Sequence, residues 1–367
     1  MKLYLVGGAV RDRVRGAEPV DFDYVAVGGD ESGLRRRVPG LTRVGQGIPV
    51  FVRGTCQYTI SEFQSIKDDL ASRDLTINAL AEDESGSLIA HPQALSDLRG
   101  KILRPVAVAN FLQDPLRAVR AARFAAAYPD FTVHEDLLAA MRAVPVEALG
   151  RVAAERVGQE TLKACAASAP GNFLRMLQAG NSLVPWLAEF DGADRIPAGP
   201  PQYHDASVLE HTARVMDRCA GDVMCVWMAL CHDLGKTATA PELLPRHHGH
   251  EDCGQDLAEA LALRLRLPNR HRVAGRMAVR WHMAAGRYGE LKPSTRVRLL
   301  LELDKAGIMK AFFRLVTADG GADASAVAEK ELALIKSVRL PEKHRDLGPK
   351  SAEILLLLRC EALCAHS

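Results

Sequence analysis

At 367 residues the chain exceeds what one hydrophobic core usually serves, so two or three domains are expected. Apolar residues at 48%, charged residues at 25% and a net charge of +2 exclude a strongly basic coating protein and a disordered chain. They leave room for a local basic face that binds RNA. The eight cysteines form no CxxC pair and no regular framework, which predicts free thiols in a reducing cytoplasm. The opening "MKLYLVGG" meets two glycines after four apolar or aromatic residues, unlike a signal peptide. No apolar run has the length of a membrane span.

In chain order, "LYLV" reads as a short buried strand, and "DFDYVAV", "PVFVRG" and "QYTIS" as further strands. From about Asp114 onward the pattern is almost all helix, rich in Ala and Leu. Gly, Pro and Asp concentrate around 190–205, which reads as a linker. A second helical block holds most of the histidines. The expected fold class is α+β: a small head with a mixed sheet, then helical segments.

Three groups in the first half carry chemistry. Gly7-Gly8 follows a strand and opens a helix, with Arg11 in the first turn; the pair fits a plain tight turn or a phosphate cradle. Asp21 and Asp23 lie two apart on a strand, so both carboxylates face one side. Two like charges side by side are costly unless a cation sits between them, and Mg²⁺ takes carboxylates together with phosphate oxygens. Downstream, Asp74 and Asn78 would share a face if helical, next to Arg73. Asp114 suits an N-cap before Pro115, and also a base edge; Arg117 and Arg120 lie three apart on one helix face.

"LVGGAVRD…DFDYVAVG" resembles the motif of the class II branch of the polymerase-β-like nucleotidyltransferases, which comprises CCA-adding tRNA nucleotidyltransferases and bacterial poly(A) polymerases. The resemblance implies nucleoside triphosphate contacts from Gly8 and Arg11, and Mg²⁺ on Asp21 and Asp23. "SRDLTINALA" is similar to the ribose-binding segment through Arg73, Asp74 and Asn78, with Ser72 where the family has an arginine. "QDPLRAVRAARF" resembles the amino-acid template that reads the base, through Asp114 and Arg117, with Arg120 beside them and Gln113 in place of Glu.

The later histidines group differently. "VLEHTARVM" contains His211, "MALCHDLGK" contains His232-Asp233, and His247, His248, His250 and His282 follow. Mixed N and O ligands suit Mn, Ni, Co, Fe or Mg rather than a structural zinc cage. "CHDLGK" resembles the HD-domain phosphohydrolases, which implies a metal set of His211, His232, Asp233 and a later Asp. Asp319 and Asp323 both fit that last place, and His250 and His282 stand as ligands of a second ion or as phosphate contacts. Expected cofactors are Mg²⁺ at the first site and a transition metal such as Ni²⁺ or Mn²⁺ at the second.

A nucleotidyltransferase head followed by an HD domain resembles the bacterial CCA-adding enzymes that carry both. On that resemblance the chain divides into a head (1–105), a helical neck and body (106–195), an HD domain (205–330) and a helical tail (331–367). The implied partners are tRNA, CTP and ATP, with no membrane, in a monomer or homodimer. Poly(A) polymerases share the head but resemble chains with a basic tail and no HD domain. A mainly hydrolytic protein with a vestigial head, or a non-catalytic RNA binder, would be expected to lose the aspartates or the His-Asp pair, and all are present. One departure stands out: "YTISEFQSIKDDLASRD" runs directly from a strand into the next motif, where the family carries a flexible loop. The leading expectation is addition of C and A to the 3′ end of tRNA; the short segment raises the alternative of an enzyme that adds CC but adds the terminal A poorly, with Glu62 the candidate for a third carboxylate.

Overall fold

The computed structural model describes residues 1–44, 49–202 and 205–365. It divides into two compact units: Met1–Val152 with Ala179–Ser182, and Ala153–Gln178 with Leu183–Ser367. The segment read as a linker lies in the second unit, where Ala193 and Ala198 are fully buried; its Tyr203 and His204 lie outside the described residues, as do the last two residues of the tail.

The first unit is built on a seven-stranded mixed sheet, α+β as expected. Its strands are β1 (Lys2–Val6), β2 (Phe22–Val27), β3 (Thr42–Val44), β4 (Val50–Arg53), β5 (Cys56–Ile60), β6 (Leu80–Glu82) and β7 (Leu88–Ala90), in spatial order β3-β4-β5-β2-β1-β6-β7. The β2–β5 pair is parallel and the others are antiparallel. Alternation along β2 explains the layers. Val25 and Val27 pack with Tyr4, Val6 and helix Ile66–Ala71 on one face, while Ala26 faces Leu34, Phe51 and Tyr58 on the other. Asp23 continues the Val25–Val27 row beyond the edge of that core, Asp21 lies at a bend just before β2, and both are exposed.

The register also corrects one expectation. Asp23 pairs with Gln57 on the parallel strand β5, and Glu62 follows five residues later, beyond the far end of that strand. At the usual strand rise that is about 17 Å along the sheet, so Glu62 cannot join Asp21 and Asp23.

The second unit is helical. Helix Val223–Cys231 is apolar all round, and Cys225 through Cys231 are fully buried. Such a helix belongs in the middle of a bundle. It packs against Ala154–Cys165, Val208–Arg218, Asn269–Ala285 and Met309–Ala318. Asp222 caps its start by accepting from Met224 N and Cys225 N, and His232-Asp233 follows directly at its end. No helix among the described residues is long and apolar enough to cross a membrane.

Candidate functional sites

In the first unit, Gly7 sits between β1 and helix Gly8–Val14 with φ of +67°, a conformation that favours glycine. Two arginines crowd this turn. A Cβ on Gly7 would meet Arg73 Nη1 at 3.7 Å, and one on Gly8 would meet Arg11 Nη2 at 3.5 Å. Asp23 pairs with Val6, the residue just before the turn, so that aspartate lies beside the glycines.

The three motifs meet in one hydrogen-bonded chain. Arg11 Nη1 donates to Asn78 Oδ1 at 2.7 Å, and Asn78 Nδ2 donates to Asp74 Oδ1 at 3.2 Å. Asp74 Oδ2 accepts from Arg120 Nε at 2.8 Å and lies 2.7 Å from its Nη2. Burial would raise the Asp74 pKa, but Arg120, Asn78 and the Leu75 N–H hold it well below the usual carboxylate range. Arg117 Nη1 donates to Arg73 O at 3.5 Å from the same helix face as Arg120.

The 73–78 segment is not an α-helix. Arg73–Leu75 is non-helical and only Thr76–Asn78 forms a 3₁₀ turn. Asp74 Oδ1 captures the Leu75 N–H at 2.8 Å, and Leu75 bridges to Pro105, both of which compete with a helical turn. Asp74 and Asn78 still meet, through the side-chain bond rather than helical spacing. Asp114 Oδ1 accepts from Leu116 N at 3.3 Å at the start of helix Leu116–Ala127, and the residue stays half-buried.

Sequence reasoning missed several supports. Asp69 holds Arg73 through Nε and Nη2 at 3.1 and 2.7 Å. The Arg11 guanidinium lies 5.1 Å from the Tyr128 ring and 5.9 Å from the Phe124 ring. The aromatic residues of "RFAAAY" four apart on a helix were the available signal.

In the second unit, His211, His232, Asp233, His250, His282 and Asp319 converge. Asp233 is the centre. Its Oδ2 lies 3.3 Å from both His211 Nε2 and His232 Nε2, and its Oδ1 lies 3.4 Å from His282 Nε2 and 3.6 Å from His250 Nε2. Asp319 Oδ1 closes the first group, 3.0 Å from His211 and 3.5 Å from His232. Asp323 instead accepts from Ser325 N and Oγ on the exposed surface.

Backbone carbonyls fix the ring orientations. Nδ1 of His232 faces Ala229 O at 2.6 Å, Nδ1 of His250 faces His247 O at 2.8 Å, and Nδ1 of His282 faces Ala278 O and Val279 O at 3.0 Å. With Nδ1 as donor, the Nε2 lone pairs point inward, as in metal-ligating histidines. Nε2 of His250 and His282 and both Asp233 oxygens are buried without a hydrogen bond. Lys236 Nζ comes within 2.8 Å of Asp233 Oδ2 as an ion pair, without hydrogen-bond geometry.

Buried lone pairs facing a buried carboxylate require positive charge. The electrostatics state the same demand. Burial opposes a charged His232, yet Asp233 and Asp319 push its pKa well above the ordinary value. Burial keeps the His250 pKa low despite Asp233, which leaves that imidazole neutral. This N and O donor set fits a divalent transition-metal ion. Asp233 turns one oxygen toward each group.

Glycine makes the cluster possible. A Cβ on Gly235 would lie 1.9 Å from His250 O, so "HDLG" touches the start of helix His250–Arg264 backbone to backbone. That contact brings His250 to Asp233.

The fold is that of CCA-adding enzymes. The Bacillus stearothermophilus CCA-adding enzyme in complex with CTP aligns with a TM-score of 0.67 at 20% identity, over 99% of this chain and 89% of that one. The Thermotoga maritima CCA-adding enzyme complexed with tRNA aligns with a TM-score of 0.59 at 17% identity, over 100% of this chain and 92% of that one. No family model matches the chain. Two curated relatives go further than fold. The multifunctional CCA protein of Laribacter hongkongensis is 37% identical over 328 residues, 83% of this chain and 80% of that protein. That of Alkalilimnicola ehrlichii is 37% identical over 331 residues, 83% of this chain and 79% of that protein. The chain belongs to the multifunctional CCA protein family.

Proposed function

We propose that the first unit adds C and A from CTP and ATP to the 3′ end of tRNA without a nucleic-acid template, and that the second hydrolyses phosphate esters. The observation that carries the first part is the Arg11–Asn78–Asp74–Arg120 chain, which unites the three motifs beside Asp23. The terminal 3′-hydroxyl of the RNA attacks the α-phosphorus, the bond to the bridging oxygen breaks, and pyrophosphate leaves. Asp21 and Asp23 are exposed all-oxygen donors, suited to Mg²⁺, which supplies charge neutralisation for the transferring phosphoryl group. Arg11 and Arg73, over the Gly7-Gly8 turn, offset the triphosphate charge. Asp114 and Arg117 read the base edge: the carboxylate accepts from the exocyclic amine of C or A, and the guanidinium donates to the neighbouring acceptor. Asp74 is buried and committed to its partners, so its role is to fix Arg120 and Asn78.

The test is nucleotide incorporation into tRNAs lacking CCA, CA or A. Addition of CC to the first is expected; no incorporation into any of the three would overturn the assignment.

For the second part, His211, His232, Asp233 and Asp319 hold one ion, and His250 and His282 extend the site around Asp233. A divalent ion such as Ni²⁺ or Mn²⁺ supplies Lewis acidity toward a phosphoryl oxygen. The chain's own residues orient that ion: the carbonyl-locked histidines present lone pairs, and Lys236 offsets the Asp233 charge.

A second reading concerns the last nucleotide. Only residues 61–65 connect β5 to helix Ile66–Ala71. A connection this short favours an enzyme that completes CC and adds A poorly. Labelled ATP offered to a transcript ending in CC decides between them: efficient A addition sinks this reading and leaves the full CCA activity.

A further inference from the structure

A cavity of about 300 Å³ borders the His/Asp cluster of the second unit at His250; its lining includes Lys236, Arg246, His247, His248, His250 and Glu251. His250 belongs to the cluster, and Lys236, which pairs with Asp233, lines the same wall, so this cavity lies beside it. Its basic side chains are not equivalent. Lys236 is buried, 2.8 Å from Asp233 Oδ2, and donates to Ala198 O at 2.9 Å. His247 uses both nitrogens, on Thr239 Oγ1 and Pro197 O, each at 2.8 Å. Those bonds fix the cavity wall. Arg246 and His248 are exposed and pair with no acid among the described residues. Arg246 is also well placed: its N–H donates to Leu243 O at 2.9 Å, Gly249 turns the chain at φ of +74°, and His250 N donates back to His247 O at 3.3 Å. Arg246 therefore lies on a tied loop, four residues before a cluster histidine, with its side chain on the cavity lining. The carboxylate on the lining, Glu251, lies 3.5 Å from His250 Nδ1.

We propose that Arg246 is a phosphate-binding specificity residue of the second site, one that selects the dianionic phosphoryl group of a monoester over a diester. The proposal rests on the phosphohydrolase reading above. A guanidinium donates in a planar fork to two phosphoryl oxygens, and a monoester offers a second charged oxygen that a diester lacks. In the reaction, a water oxygen bonds to phosphorus, the ester P–O bond breaks, and the alcohol leaves with a proton. Arg246 holds the phosphoryl group throughout and exchanges no proton. His248 lies on the same lining and adds a second donor at the rim.

The experiment uses the full chain loaded with Mn²⁺ or Ni²⁺, with p-nitrophenyl phosphate as monoester and bis(p-nitrophenyl) phosphate as diester. Arg246→Ala is expected to raise KM for the monoester roughly tenfold to a hundredfold, the range for losing a charged hydrogen-bond pair. The KM for the diester is expected to stay within about twofold, and Arg246→Lys to recover part of the loss. Unchanged CTP incorporation checks that the variant is folded. Calorimetry with inorganic phosphate on chelator-treated protein gives a readout independent of turnover, and Arg246→Ala should weaken that binding. Equal losses for both esters, or unchanged monoester KM and phosphate affinity, overturn the proposal. If loaded wild type cleaves neither ester while phosphate binding still depends on Arg246, the recognition role stands and the hydrolase reading falls.

Discussion

The two sites solve the same electrostatic problem in opposite ways. In the first unit the metal-binding candidates Asp21 and Asp23 are exposed, while the arginines beside them are anchored on buried or half-buried partners such as Asp74, Asn78 and Asp69. In the second the carboxylate at the centre is buried, and the Nε2 atoms of His250 and His282 face it without a hydrogen bond. The first arrangement is unfinished without substrate: a triphosphate brings the charge that balances the arginines and the oxygens that complete a hard ion's shell. The second already gathers its donors around Asp233 before any substrate binds. The first site should therefore load its metal with the nucleotide, and the second should hold its metal between turnovers.

The largest effects should come from removing the charges that define each site. Asp21→Asn with Asp23→Asn is expected to lower CTP incorporation by about a thousandfold or more while monoester hydrolysis continues. Asp233→Asn should do the reverse, abolishing bound transition metal by elemental analysis and leaving CTP incorporation near wild type. If either change silenced both activities, the two sites would not be the separate machines described.

Gly235→Ala probes what holds the cage together. The new methyl would sit 1.9 Å from His250 O, and backbone on both sides leaves no flexible side chain to yield. Overpacking of this kind costs about 1–3 kcal/mol. The expected outcome is a lower Tm and loss of the stabilisation that Mn²⁺ or Ni²⁺ gives wild type, since metal stabilises only a fold with ligands in place. A variant that kept the full metal-induced rise in Tm would show that the contact does not position His250.

These two glycine-dependent turns mark what the sequence made legible. Gly7-Gly8 with Asp21 and Asp23 could be read because strand periodicity is short-range and a DxD row needs no tertiary knowledge. "CHDLGK" could be read because the His-Asp pair ends an uninterrupted apolar helix. What could not be read depends on register between distant segments. Glu62 follows the strand that pairs beside Asp23 but stands past the far end of that parallel neighbour. Asp74 was legible as polar, yet only the fold shows it buried against Arg120, 46 residues away. Arg246 looks like one more surface charge until the loop through Gly249 places it on the cavity lining.

The buried half of the first site has its own pH signature. Asp74 titrates well below the usual carboxylate range in the folded protein, so between its folded and unfolded values the unfolded chain binds the proton. Its contribution to stability is complete above about pH 5 and is lost as pH falls through 4 and below. Arg120→Ala removes the largest of the effects that lower that pKa and is expected to cost about 1–3 kcal/mol, because Asp74 stays buried with weaker partners. The Tm gap between variant and wild type should be widest near neutral pH and narrow on acidification toward pH 3.5. A gap independent of pH would mean that Arg120 stabilises by packing rather than through Asp74.

The smallest expected effect separates two aspartates that sequence could not rank. Asp319 follows helix Met309–Ala318 and reaches the cage 3.0 Å from His211 Nε2. Asp323 lies four residues on, past Gly320 with φ of +100°, and turns outward to Ser325. Asp323→Ala should leave metal content, monoester hydrolysis and CTP incorporation unchanged, because Asp323 is exposed and its partners are the hydroxyl and N–H of one serine. Asp319→Ala, measured alongside, should lose metal content and monoester hydrolysis and keep CTP incorporation. Were Asp323→Ala the variant that lost metal, the loop after Gly320 would have to refold on metal binding, and the second site would be no more pre-built than the first.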